Sequence, residues 1–88
     1  MLTGIITKKF DQVMPAKEGR SPIHKTFIKV SDLNKPGESH AIEFLGSKRI
    51  LVKNLEVNDR VKVSYKSQAH VANGKVYNNK IGEDISRL

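Results

Sequence analysis

The sequence predicts a small all-β domain, a five-stranded barrel with one short helix between its third and fourth strands. Residues 60–66 alternate apolar and polar side chains, which is the period of a half-buried strand with Val61 and Val63 on one face. Asn73 and Gly74 follow, and this pair tolerates the positive φ angles of a tight hairpin turn. The 88 residues suffice for one domain and include no cysteine, so a covered core must stabilise it without disulfides.

The other elements follow from apolar alternation and from turn residues. Gly4 in the first strand marks a bend or a close approach of two backbones, Ser47 is expected to cap the helix, and Asn58 is expected at positive φ. The predicted elements are a strand over 2–10, a loop over 11–22, a strand over 24–31, a turn over 34–37, a strand over 39–45, a helix over 47–54, the strand over 60–66, and a last strand from 76 to 81 or 85.

This order of elements matches the five-stranded Greek-key OB barrel, in which a helix lies between strands three and four. An SH3-like barrel has a similar number of strands but does not usually place a helix there, so we rank it second. The whole chain, residues 1–88, is expected to form a single OB-fold domain.

Charge is the main compositional indication of function. The chain carries 16 Lys and Arg against 9 Asp and Glu, a net charge of +7. Such a field attracts polyanions, of which nucleic acid is the leading candidate. There is no apolar run of membrane-spanning length, and the N-terminal charges follow the apolar stretch, the reverse of a signal peptide. We therefore expect a soluble, cytoplasmic protein without a membrane partner.

Several short motifs resemble those of a known group of proteins. The segments Phe44-Leu-Gly-Ser-Lys48, Asp59-Arg-Val-Lys-Val63 and Asn73-Gly-Lys-Val-Tyr77 resemble the OB-fold single-stranded DNA-binding proteins. The chain is most similar to a small bacterial OB-fold family of unknown function (domain of unknown function 3127), which shares the opening Leu2-Thr-Gly4. The resemblance implies an OB fold and DNA binding in a bacterial or phage replication, recombination or repair setting. One departure is Leu45, where the DNA-binding proteins place an aromatic residue.

Two aromatic residues are predicted to stack on bases. Alternation that turns Ile28 inward turns Phe27 outward, between lysines of the same strand, and Tyr77 follows the hairpin turn. An exposed ring in a basic field is what sequence-tolerant binding of single strands uses. The remaining aromatic side chains are expected in the core: Phe10, Phe44 and Tyr65.

Basic residues are predicted to follow the phosphates, in two groups that an OB barrel brings to the same side of the molecule. One group lies in or beside the loop between strands one and two, and the other lies around the last hairpin. Glu43 and Asp59 are expected to be turn or surface residues. The full set of predicted nucleic-acid-binding residues is Lys17, Arg20, Lys25, Phe27, Lys29, Lys62, Lys66, Lys75 and Tyr77.

Catalysis and cofactors are not expected. His24, His40 and His70 lie in separate segments without metal-ligand spacing, and no phosphate-binding glycine loop opens a helix. The sequence therefore predicts a non-catalytic module that binds single-stranded DNA with little sequence preference. A protein-interaction or assembly module and single-stranded RNA binding remain as alternatives, and homo-oligomer formation is left open.

Overall fold

The computed structural model describes residues 1–16, 18–19 and 21–88, except for the side chain of Ala72. Five strands and one short helix follow each other along the chain. They are β1 (Leu2–Met14), β2 (Ile23–Asp32), β3 (Ser39–Leu45), the 3₁₀ helix η1 (Gly46–Val52), β4 (Arg60–Ala72) and β5 (Lys75–Arg87).

The five strands form one sheet in the order β1-β2-β3-β5-β4, and β4 also pairs with β1. The β3–β5 pair is parallel, and the other pairs are antiparallel. The predicted five strands, with one short helix between the third and the fourth, are confirmed.

One face of this sheet packs into a single apolar core. Thr26, Ile28 and Val30 alternate into it from β2, as their spacing predicts, and Phe44 is fully buried as expected. Tyr65 is only partly buried and packs against the core from its edge. The fully buried side chains with the largest volumes are Phe44, Ile6, Ile28, Ile42, Val30, Val52, Val61 and Val63.

Gly4 allows β1 and β2 to approach closely, as predicted. A Cβ atom at this position would overlap the Ser31 carbonyl oxygen and a methyl group of Val30. Gly82 of β5 has a similar role, because a side chain there would overlap the Phe44 ring. Both glycines let the strands pack tightly against their neighbours and against the core.

Two hairpins extend further than the alternation predicts. β1 continues to Met14, where the sequence indicated a loop from residue 11, and Pro15 follows without a backbone N–H to pair. β4 and β5 pair almost to the turn at Asn73 and Gly74, whose φ angles of 54° and 74° confirm the predicted hairpin. We call residues 11–14 with 23–26 the first arm, and residues 67–72 with 75–80 the second arm.

The helix differs from its prediction in type and in capping. It is a 3₁₀ helix preceded by Leu45, and no side chain caps its N-terminus, so the expected role of Ser47 is wrong. Its C-terminal end is instead held by Lys9, whose Nζ donates to the carbonyl oxygens of Val52 at 2.8 Å and Leu55 at 2.9 Å. Asn58, after the helix, has the predicted positive φ, 79°.

Among the described residues, no helix has the length and apolar character that a membrane crossing requires.

Candidate nucleic-acid interface

A row of side chains crosses all five strands on the face of the sheet that points away from the core. Phe10 pairs with Phe27, Phe27 with Glu43, Glu43 with Ile81, and Ile81 with Lys66. Each pair belongs to neighbouring strands in register, so these side chains lie on one surface. We call this surface the outer face.

The Phe10 and Phe27 rings stack on each other on the outer face. Their centroids are 5.1 Å apart, and their planes differ by 10°. Phe10 is 47% exposed and Phe27 is half-buried, so the pair presents aromatic surface to solvent. The orientation predicted for Phe27 is confirmed, and its ring has a neighbour that the sequence did not indicate.

The prediction that Phe10 belongs to the core is wrong, and a β-bulge is the reason. The register between β1 and β2 shifts between Ile6 and Lys8, so Ile6 faces the core and Lys8 faces outward. A bulge adds one residue to one strand and thereby reverses the alternation beyond it. One signal was present in the sequence, because uninterrupted alternation from Ile6 would have pointed the Lys8 side chain into the core.

Three lysines surround the aromatic pair on the outer face. Lys8 Nζ lies 6.0 Å from the Phe10 ring centroid, within cation–π range. Lys29 pairs with Lys8 across the strands and is exposed, and Lys25 lies on the other side of Phe27 along β2. Lys25 and Lys29 therefore flank Phe27 on the outer face, as their spacing in the sequence predicts.

The predicted residues of the second arm lie further along the same face. Tyr77 is 48% exposed and pairs with His70, and Lys75 is exposed beside the turn. Tyr77 is four residues from Ile81 along β5, and Ile81 is two strands from Phe27. With a rise of about 3.3 Å per residue and a strand spacing of about 4.8 Å, the Phe27 and Tyr77 positions are roughly 16 Å apart.

The two predicted basic groups do not come together on one side. The first arm continues β2 beyond Phe27 and the second arm continues β5 beyond Ile81, and the strand registers send these arms to opposite ends of the outer face. The face therefore lies between the arms. Lys17 and Arg20, predicted for the loop of the first arm, lie outside the described residues.

Lys62 is not part of this arrangement. It lies between Thr3 of β1 and Ser86 of β5, whereas Phe10 is seven residues further along β1 than Thr3. That separation corresponds to about 23 Å of extended strand. Lys66, four residues further along β4, is in the row that contains Phe27.

Glu43 was expected to be a turn or surface residue, and this expectation is wrong. It lies mid-strand on the outer face with its side chain only 10% exposed. Lys25 Nζ donates to its Oε1 at 3.2 Å, and its Oε2 has no hydrogen-bond partner among the described residues. The neighbouring strands β2 and β5, whose pairing with β3 the sequence pattern does not reveal, explain its burial.

A cleft of about 250 Å³ opens beside this carboxylate. Its lining comes from β2, β3 and β5, which meet here because β3 pairs with β5. The lining residues are Phe27, Ala41, Glu43, Asn78, Asn79 and Lys80.

A larger cleft of about 500 Å³ lies between η1 and the core-facing side of the first arm. Lys9, which lines it, donates hydrogen bonds to carbonyl oxygens at and just after the C-terminal end of η1. Asp11, another lining residue, accepts a hydrogen bond from the Thr26 hydroxyl at 2.6 Å. These polar groups, Lys9, Asp11 and Thr26, thus stabilise the fold.

One cluster of candidate metal ligands is present among the described residues, although the sequence spacing did not indicate it. Asp32, Glu38 and His40 bring ligand atoms within 4.8 Å of one another. However, the Lys80 ammonium group contacts Nδ1 of His40. A positive charge at that position opposes binding of a metal cation.

Comparisons with known proteins leave the family open. No family model, curated protein or solved structure matches the chain.

Proposed function

We propose that this protein is a non-catalytic OB-fold module that binds single-stranded DNA through its outer face. The observation that carries the proposal is the partly exposed Phe10–Phe27 stack among Lys8, Lys25 and Lys29. Aromatic faces stack on unpaired bases, and lysines neutralise phosphates with little regard to sequence. A duplex hides its base faces, so the exposed rings favour single strands.

The proposed fold agrees with this use of the outer face. Pairing of β4 with β1 and of β3 with β5 supports a closed Greek-key OB barrel, whose ligands bind across strands two and three. In that arrangement the strand travels across β2 and β3, between the two arms. Tyr77 then offers a second aromatic contact on the second arm.

A titration with fluorescent oligo-dT at several salt concentrations tests the proposal. Because binding releases counterions, we expect the logarithm of the association constant to fall linearly with the logarithm of salt concentration, with a slope of about −0.7 per phosphate contact. Equal affinity for duplex DNA, or no salt dependence, would overturn the proposal.

Two lysine variants make the test specific to the outer face. Lys29→Gln removes an exposed charge beside Phe27, and Lys62→Gln removes an exposed charge from the distant part of β4. We expect the first to reduce the salt slope by about one contact and the second to leave it nearly unchanged. Equal effects of the two variants would indicate a diffuse lysine coat rather than a site.

Apolar side chains at the arms favour a second candidate, an assembly module. Val13 and Ile23 of the first arm are 56% and 54% exposed, and Val71 and Val76 of the second are 69% and 67% exposed. Exposed apolar surface on projecting hairpins is typical of protein contacts. Light scattering during size-exclusion chromatography separates the two candidates, because an assembly module without DNA affinity forms oligomers and ignores oligo-dT.

RNA is the remaining alternative ligand, since the same rings and lysines also suit it. Competition between DNA and RNA oligomers of equal sequence measures this preference directly.

A further inference from the structure

We propose that the cleft beside Phe27 is a base-recognition pocket that prefers guanine. This inference rests on the proposed single-strand binding and adds a base preference at one position of the bound strand. The observation behind it is the Glu43 carboxylate, which lines the cleft with a side chain that is 90% removed from solvent.

The carboxylate has acceptor capacity that the protein leaves unused. Lys25 Nζ binds Oε1 at 3.2 Å, while Oε2 is buried without a hydrogen-bond partner in the described part of the chain. Buried polar atoms are nearly always hydrogen-bonded, so an unsatisfied oxygen on a side chain that lines an open cleft indicates a ligand that donates to it. A carboxylate only accepts hydrogen bonds, and each oxygen can accept more than one.

The cleft has a volume and a lining that suit one base. Its volume of about 250 Å³ is below the roughly 300–1,000 Å³ typical of pockets for larger small molecules. Phe27 lines it and supplies a ring for stacking, so a base stacked there can turn its hydrogen-bonding edge toward Glu43.

The donor pattern selects among the four bases. Guanine presents two adjacent donors on its pairing edge, N1–H and the N2 amino group, which match the two oxygens of a carboxylate. Cytosine and adenine offer one amino group beside an acceptor nitrogen, and thymine places a carbonyl on each side of its single N–H. Carbonyl and ring-nitrogen acceptors repel a carboxylate, so guanine fits Glu43 best.

The experiment compares oligo-dT of about 12 nucleotides with the same oligomer carrying one central dG, dC or dA. Bidentate base contacts discriminate by about fivefold to 150-fold, and we expect the dG oligomer to bind tighter than oligo-dT within that range. Replacing the dG with deoxyinosine, which lacks only the N2 amino group, should remove most of the preference.

Protein variants assign the preference to Glu43. Glu43→Gln should bind the dG oligomer and oligo-dT with nearly equal affinity, because an amide presents one donor and one acceptor. Glu56→Gln removes the same charge from an exposed turn position and should keep the ratio. Circular dichroism melting shows whether each variant is folded, and the deoxyinosine comparison tests the pocket in the wild-type protein if Glu43→Gln does not fold.

The possible results distinguish failure of the guanine pocket from failure of the proposed single-strand binding. Salt-dependent binding of oligo-dT with equal affinity for the dG oligomer overturns the guanine pocket and leaves single-strand binding standing. A dG preference that deoxyinosine retains also overturns it. Absence of binding to every oligomer overturns both.

Discussion

The Phe10 and Phe27 rings expose apolar surface that the core does not use. Their stacking joins β1 to β2, which is a structural role worth about 0.5–1.5 kcal/mol beyond burial for an aromatic pair. In the proposed interface the same stack also holds Phe27 in a fixed orientation. A ring that is already positioned loses little side-chain freedom when a base stacks on it.

Substitutions of Phe27 separate these two roles. We expect Phe27→Ala to weaken oligo-dT binding by about 1–3 kcal/mol, because the stacked base loses its platform. Phe27→Leu keeps apolar packing without an aromatic face and should lose most of the same affinity, whereas Phe27→Trp should retain it. Fluorescence titration measures all three, and full affinity in Phe27→Leu would contradict a stacking role.

At the scale of elements, a bulge and a lysine determine how β1 meets its neighbours. The bulge before Lys8 sends Phe10 outward and Lys9 toward η1. Carbonyl oxygens at a helix C-terminus lack partners within the helix, and a cation placed there satisfies them. Lys9 therefore connects β1 to the end of η1, a short element whose stability depends on tertiary contacts.

Removal of this lysine should destabilise the protein. Hydrogen bonds to charged groups contribute about 1.5–3 kcal/mol, so we expect Lys9→Met to lower the free energy of unfolding by about 2 kcal/mol. Lys53→Met serves as the control, because Lys53 is an exposed lysine at the same end of the helix. Urea denaturation measures the free energy of unfolding of both variants, and a change in midpoint reports a change in stability when the m-value stays the same. Equal midpoints for wild type and Lys9→Met would contradict the role assigned to Lys9.

At the scale of the whole molecule, the sheet and its arms give a body of 42 × 30 × 18 Å. The end of β5 is tied to the start of β4 by Arg87, whose Nη2 donates to Asp59 Oδ2 at 2.8 Å and to the Asn54 carbonyl oxygen at 2.7 Å. The Glu56 amide also donates to Asp59 at 2.8 Å. These contacts lie away from the outer face and stabilise the junction of the last two strands.

The junction predicts a specific response to acid. The Glu56 backbone amide, and then the Arg87 guanidinium, lower the pKa of Asp59 below its ordinary value of 3.8. A carboxyl group with a lowered pKa stabilises the folded state above the unfolded-state pKa, and this contribution disappears as the pH falls through the folded-state pKa.

Wild type and Asp59→Asn should therefore differ in stability above pH 3.8 and converge as the pH falls further. Denaturation at a series of pH values measures the difference. An NMR titration of the Asp59 carboxyl group should show its midpoint rising in Arg87→Met, yet staying below 3.8 because the Glu56 amide remains. A stability difference that is constant with pH would refute this linkage.

Alternation and turn chemistry alone determined the five strands, the final hairpin and the outward orientation of Phe27, because these depend on side-chain period and on local φ preferences. They also placed Lys25 and Lys29 beside that ring. The tertiary structure decided what local pattern cannot encode. A bulge reversed the direction of Phe10, pairing between β3 and β5 buried Glu43, and the strand registers sent the two arms to opposite ends of the outer face. All three depend on which residues of distant segments come into register, and register is set by packing of the whole sheet rather than by neighbours in the sequence.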